Sequence, residues 1–185
     1  MRQPFVYLLL FLLSATACSK ENKEKNGGPP KAFFDLRGYI QGEAERLSEA
    51  QPKVIKRISI DGQQEEQTFD SLDYKKELAI FSRSDINKTS WFDKYQVDST
   101  FQDGQLKQVT YTSKDKGLKT NLMEVQYDQG AVSAIHIRNA TENQVADVHQ
   151  EMFYRPKKGY SLASGQSTVL SKEKDVRVEV EFLEF

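Results

Sequence analysis

The sequence predicts an α+β domain: an N-terminal helix, a hairpin, a second helix, then an antiparallel up-and-down meander of about seven strands. The expected shape is a curved sheet or incomplete barrel over the helices, with a closed barrel as the alternative. Three observations predict it. Apolar residues recur at three- and four-residue steps only in two segments, both before residue 83. Beyond residue 94 strand-like runs follow one another, and several of them alternate apolar and polar residues. Turn signals (Asp61-Gly62, Asp103-Gly104 and Asp128-Gln129-Gly130) separate consecutive strand-like runs.

The first helix is expected over Phe33 to Ala50. Phe33, Leu36, Ile40, Ala44 and Leu47 form one apolar stripe, with Arg37, Gln41, Glu45 and Glu49 on the other side. Gln51-Pro52 ends it, because the residue before proline avoids the helical region. Val54 to Ile60 and Gln63 to Phe69 form the hairpin, and the polar second strand suits an edge. Asp70 or Ser71 is expected to cap the second helix, with Leu72, Tyr74, Leu78 and Phe81 on its buried side.

The meander runs through Tyr95 to Phe101, Leu106 to Ser113, Thr120 to Tyr127, Val132 to Arg138, Val145 to Tyr154, Tyr160 to Leu170 and Val176 to Phe182. Pro156 to Gly159 and Ser171 to Asp175 read as turns. Met123, Val125 and Tyr127 alternate with Glu124 and Gln126, and Val176, Val178, Val180 and Phe182 with Arg177, Glu179 and Glu181. Such alternation needs one wet face and one covered face, and the two helices are the available cover.

Residues 1–17 read as an export signal. Arg2 gives the positive start, Phe5 to Leu13 the apolar run, and Ala15-Thr16-Ala17 a small-residue cut site before Cys18. The run is far shorter than the roughly 20 residues that span a bilayer. Ala15-Thr16-Ala17-Cys18 resembles the lipobox of bacterial lipoproteins, with Ala15 where leucine is typical. Ordinary signal peptidase would cut the same bond. Cys18 is the only cysteine, and acylation removes an otherwise unpaired exported thiol. Residues 18–32 then form the lipidated cysteine and a flexible tether, too polar to bury a core. By flexible-chain scaling its reach is about 20 Å. Lys20-Glu21 and Lys23-Glu24 fit either a surface-export signal or a soluble spacer. Residues 33–185 remain as one domain.

The chain carries 26 Lys and Arg against 27 Asp and Glu, which offers no basic excess for nucleic acid. Phe33-Phe34-Asp35-Leu36-Arg37-Gly38-Tyr39-Ile40, and Ser84-Asp85-Ile86-Asn87-Lys88 with Trp91, Phe92, Asp93, Tyr95, Val97 and Asp98, together with the lipid signal, resemble an uncharacterised lipoprotein family of Bacteroidota. The resemblance implies an outer-membrane address and carries no activity or catalytic residues. A looser likeness of architecture is to the lipoprotein carriers of the Lol system, without a shared motif.

The two histidines, His136 and His149, fall on separate strands. His149 alternates with Asp147 and Glu151, and His136 lies on a neighbouring strand. These four form the nearest thing to a polar cluster, read either as a ligand or proton site or as a solvated face with cross-strand ion pairs. No metal-ligand spacing, nucleophile elbow, P-loop or dinucleotide fingerprint occurs. No cofactor, metal or enzymatic activity is therefore expected. Trp91, Phe92 and Tyr95 are candidate contacts for a ligand or partner, or a plug for the core edge.

The function expected is a non-enzymatic binding or accessory module, attached to the membrane through lipid on Cys18, with an envelope protein or apolar ligand as partner. The alternative is a carrier of lipid or another apolar ligand between sheet and helices.

Overall fold

The computed structural model describes residues 33–168 and 171–183, without the side chains of 171–173. The signal, Cys18 and the tether lie outside the described residues. Helix α1 spans Leu36–Ala50 and starts later than expected, because Asp35 caps it by accepting from the Gly38 N–H at 3.0 Å. Gln51 ends it in the left-handed region at φ 45°, its N–H donating to the Leu47 carbonyl at 2.9 Å. Leu36, Ile40, Ala44 and Leu47 are buried, as the stripe requires.

The hairpin is β1 (Val54–Ile60) and β2 (Gln63–Phe69). The expected second helix is two single turns, α2 (Tyr74–Glu77) and α3 (Ala79–Ser82), meeting at Leu78. Its cap is Asp73 rather than Asp70 or Ser71: the Asp73 carboxylate accepts from the Lys76 N–H at 3.3 Å. Tyr74, Leu78 and Phe81 are buried.

The meander follows as β3 (Tyr95–Gln102), β4 (Gln105–Ser113), β5 (Thr120–Asp128), β6 (Ala131–Glu142), β7 (Ala146–Arg155), β8 (Gly159–Thr168) and β9 (Ser171–Phe182). The expected turn at Ser171 to Asp175 belongs to β9. All nine strands form one antiparallel sheet in the order β2-β1-β9-β8-β7-β6-β5-β4-β3. The sheet exceeds the seven strands of the expected meander because the hairpin joins it, with Val54 to Ile60 pairing Phe182 to Val176. It is not closed: β2 and β3 are its edges, which excludes the closed barrel. The polar β2 does lie at an edge.

Register sorts the two faces. Tyr111, Met123, Ile137, Met152, Leu162 and Val178 make one row across six strands. Val109, Val125, Ile135, Tyr154, Tyr160 and Val180 make the next. The helices cover these rows: the Phe81 ring meets Tyr154 and Tyr160 edge-on at 6.0 and 6.2 Å, and Tyr74 meets Phe182 at 6.2 Å. Met123, Val125, Ile135, Ile137, Met152 and Tyr154 are fully buried, so the interface between helices and sheet is filled with side chains.

Two buried phenols tie helices to sheet. The Tyr154 hydroxyl donates to Glu43 at 2.6 Å, and Arg46 clamps the same carboxylate at 2.8 and 3.0 Å. The Tyr160 hydroxyl donates to Glu77 at 2.7 Å, and the Lys56 ammonium holds that carboxylate at 2.7 and 2.9 Å. Burial, and then the neighbouring carboxylate, pushes both phenols well above their ordinary range. Each carboxylate keeps a cationic partner, so the desolvation of burying it is offset.

Candidate functional site

The sheet face away from the helices carries the polar parity of the strands. One of its rows runs Glu124, His136, Phe153, Ser161, Glu179. The His136 ring stacks on Phe153, with centroids 4.2 Å apart and planes 4° from parallel. Its Nδ1 lies 2.7 Å from Glu124 and its Nε2 2.9 Å from Glu151. A neutral imidazole has one N–H and donates to one acid; only the doubly protonated ring donates to both. The ring sits between two different carboxylates, so its lone pairs do not converge with them on one point. Among the described residues no group of three or more His, Cys, Asp and Glu is arranged to hold a metal ion.

The next two rows form a groove of about 660 Å³. Its floor includes small residues on β6 and β8, Ala140, Ala163 and Gly165, on either side of β7. Lys116, Arg138, Glu151, Asp115 and Asp175 supply its charged walls, and His149 also lines it. Asp115 pairs with Lys94 at 2.9 Å and Asp175 with Arg177 at 3.4 Å, while Glu151 lies 2.9 Å from the His136 Nε2, which donates to it only when that nitrogen carries a proton. The Lys94 ammonium and the Gly117 N–H hold the Asp115 carboxyl below its ordinary range. The side chains of Lys116, Arg138 and His149 make no ion pair or hydrogen bond with any described residue. Arg138 faces Glu151 across the strands, but Glu151 turns to His136 instead. Arg138 and His149 are diagonal neighbours on one face, since His149 pairs with Ala140; such positions lie about 7–8 Å apart. Lys116 and Arg138 are therefore the uncommitted cations of the groove.

No family model, curated protein or solved structure matches the chain.

Of the four residues expected to cluster, the structure joins His136 to Glu151 and sets His149 beside Glu151 in the groove. Asp147 lies one row beyond, opposite Glu142 and Ser167, outside the groove lining. Sequence reasoning missed Glu124, Phe153 and Arg138 as members. Glu124 was findable, because alternation puts it on the polar face of β5. The groove floor had no signal without the register that brings Ala140, Ala163 and Gly165 together.

The aromatic candidates lie at the start of β3, beside the 114–119 loop, where the Lys114 N–H donates to the Lys94 carbonyl at 2.9 Å. Tyr95 is buried, and its hydroxyl donates to the Thr120 carbonyl at 2.7 Å. Phe92 is half-buried against Phe33, centroids 5.7 Å apart. Trp91 is half-buried in a single 3₁₀ turn, Thr89–Trp91, tilted on Tyr95, with the Lys88 ammonium 3.9 Å from its ring centre.

Proposed function

We propose that this protein is a binding module of the bacterial envelope, held at the outer membrane by lipid on Cys18, and that its ligand surface is the groove on the outer sheet face. The observation that carries the binding reading is the charge state of that groove. Asp115 and Asp175 pair with cations, and the side chains of Lys116, Arg138 and His149 have no partner among the described residues. Uncommitted donors over a floor of small residues suit an anion such as a carboxylate or phosphate, which a guanidinium holds with two parallel hydrogen bonds. The anchor rests on the sequence: small residues before a lone cysteine, then a polar tether. No helix among the described residues is long and apolar enough to cross a membrane. The resemblance to a Bacteroidota lipoprotein family agrees with this address. A long antiparallel sheet coils as it twists, and the reading includes a sheet curved around the helices.

The filled interior supports a surface-binding module over a carrier with a lumen. The carrier needs space behind Met123 and Val125, and both are fully buried among core side chains.

The binding reading is tested by titrating the full mature chain with inorganic phosphate and with succinate, following the backbone N–H signals of Ala140 and Gly165 in the groove by NMR. The expected result is saturable shifts that Arg138→Gln weakens about tenfold, the worth of one charge-assisted contact. Titrations that Arg138→Gln leaves unchanged would remove the groove from the account. The anchor is tested by fractionating cells that express Cys18→Ser. The variant is expected to leave the membrane pellet in a high-salt wash, and its retention there would contradict lipid attachment.

A further inference from the structure

We propose that the 83–94 segment and the 114–119 loop form a membrane-facing patch that docks the domain on anionic lipid headgroups. The inference rests on the lipid anchor proposed above and adds which side of the domain meets the bilayer. Residue 33 is where the tether reaches the fold, and the structure fixes it in this segment. The Phe33 N–H donates to the Asn87 side chain at 3.1 Å, and the Phe33 ring packs on Phe92 and Tyr95 at 5.7 Å each. The Asn87 amide in turn donates to the Phe34 carbonyl at 2.8 Å. Only residues 19–32 separate this point from Cys18, and a flexible chain of that length reaches about 20 Å. The surface around residue 33 is therefore the surface that a lipidated Cys18 holds nearest the bilayer.

That surface has the charge the inner part of an anionic membrane selects. Arg83, Lys88, Lys94, Lys114, Lys116 and Lys119 outnumber Asp85, Asp93 and Asp115 there, in a chain whose net charge is −1. Lys94 and Asp115 neutralise each other at 2.9 Å, and Asp85 accepts a hydrogen bond from the Asn87 amide at 3.1 Å and keeps its charge. Arg83, Lys88 and Lys119 form no ion pair with any described residue. They are also close enough to repel: burial, then Arg83 and Lys88, push the Lys119 ammonium below its ordinary range. Cations in excess over the nearby acids are stabilised by an external anion, and each basic side chain near an anionic bilayer adds to binding. Trp91 lies among them, half-buried under the Lys88 ammonium. Tryptophan favours the headgroup level, where its ring is partly apolar and its N–H stays wet. Thr89 and Ser90 beside it are exposed, so the turn presents to solvent.

Trp91 is the only tryptophan of the chain, so its fluorescence reports this contact without a label. The test uses the mature chain bearing Cys18→Ser, which separates the patch from the anchor. It is mixed with vesicles of phosphatidylglycerol and, in parallel, of phosphatidylcholine alone. The expected result is co-sedimentation and a blue shift of Trp91 emission with phosphatidylglycerol only, both reversed by high salt. Arg83→Gln/Lys88→Gln, at two exposed positions, is expected to weaken partitioning about tenfold or more, and adding Lys119→Gln to bring the loss to about a hundredfold. Far-ultraviolet circular dichroism checks that each variant is folded. Absence of binding to phosphatidylglycerol, equal binding to both vesicles, or full binding by the folded double variant would each overturn the proposal. Fractionation of Cys18→Ser cells tests the anchor alone, so failure of one reading is distinguishable from failure of the other.

Discussion

The Tyr154–Glu43 contact joins the middle of the sheet to α1, and its removal should cost more than an exposed hydrogen bond. Tyr154 is fully buried and its hydroxyl lies 2.6 Å from a carboxylate that is itself 13% exposed. Tyr154→Phe keeps the ring and its edge-on contact with Phe81 at 6.0 Å. It removes a hydrogen bond to a charged group, worth about 1.5–3 kcal/mol. Glu43 keeps Arg46 in that variant, so no buried charge is stranded. Glu43→Ala does the reverse: it leaves a buried hydroxyl without its acceptor, at about 1–3 kcal/mol, and also loses the packing of the carboxylate stem. Arg46, 37% exposed and bonded to the Pro156 carbonyl at 2.8 Å, loses less. Urea unfolding of the two single variants and the double variant, with unchanged m-values, gives the coupling energy. The expected coupling is about 1–3 kcal/mol. A value within about 0.5 kcal/mol of zero, the range of independent sites, would refute the claim that this contact clamps helix to sheet.

Two further predictions follow from the same core. Gly159 sits at φ +133°, and a Cβ there would meet the Val180 carbonyl oxygen at 1.9 Å; Gly159→Ala should destabilise by about 3 kcal/mol or more in urea unfolding, since backbone must move on both β8 and β9. Stability should also fall as pH rises above about 10. Burial raises Tyr39, Tyr95, Tyr154 and Tyr160, and pushes Tyr74 up to about 12. Below their ordinary value of 10.0 both folded and unfolded tyrosines are protonated and the contribution is complete. Above it the unfolded chain ionises first, at up to about 1.4 kcal/mol per pH unit for each such tyrosine. The loss begins near pH 10 and continues through about pH 12 as the folded Tyr74 titrates; urea midpoints that hold steady across that window would contradict it.

Much of the fold was legible because local rules and global packing agree in it. Leu36, Ile40, Ala44 and Leu47 have the helical spacing and are the residues that α1 buries. The two-residue alternation of Met123 and Val125 gives both the strand and its buried face. The turn dipeptides mark real reversals, with Asp61, Asp103 and Gln129 all at positive φ. What sequence could not reveal was non-local. Nothing in Val54 to Ile60 points to a partner strand at the far end of the chain, yet β1 and β9 join the hairpin to the meander. The second helix was misplaced for a local reason: Asp70, Ser71 and Asp73 all suit a cap, and only the structure shows the Lys76 N–H choosing Asp73. The outer-face site was legible in part. Parity put His136, His149 and Glu151 on one side, while the pairing of Arg138 with Glu151, and the choice of His136 by Glu151, depend on register. The nearness of Phe33 to Asn87 and Phe92 was likewise hidden, since more than fifty residues separate them in the chain.

The address underlies both functional readings, and intact-mass spectrometry of the protein isolated from its native membrane tests it most directly. The account predicts a chain that begins at Cys18 and carries the added mass of a diacylglyceryl group, with or without a further acyl chain. A chain beginning at an unmodified Cys18, or one that still carries residues 1–17, would contradict it.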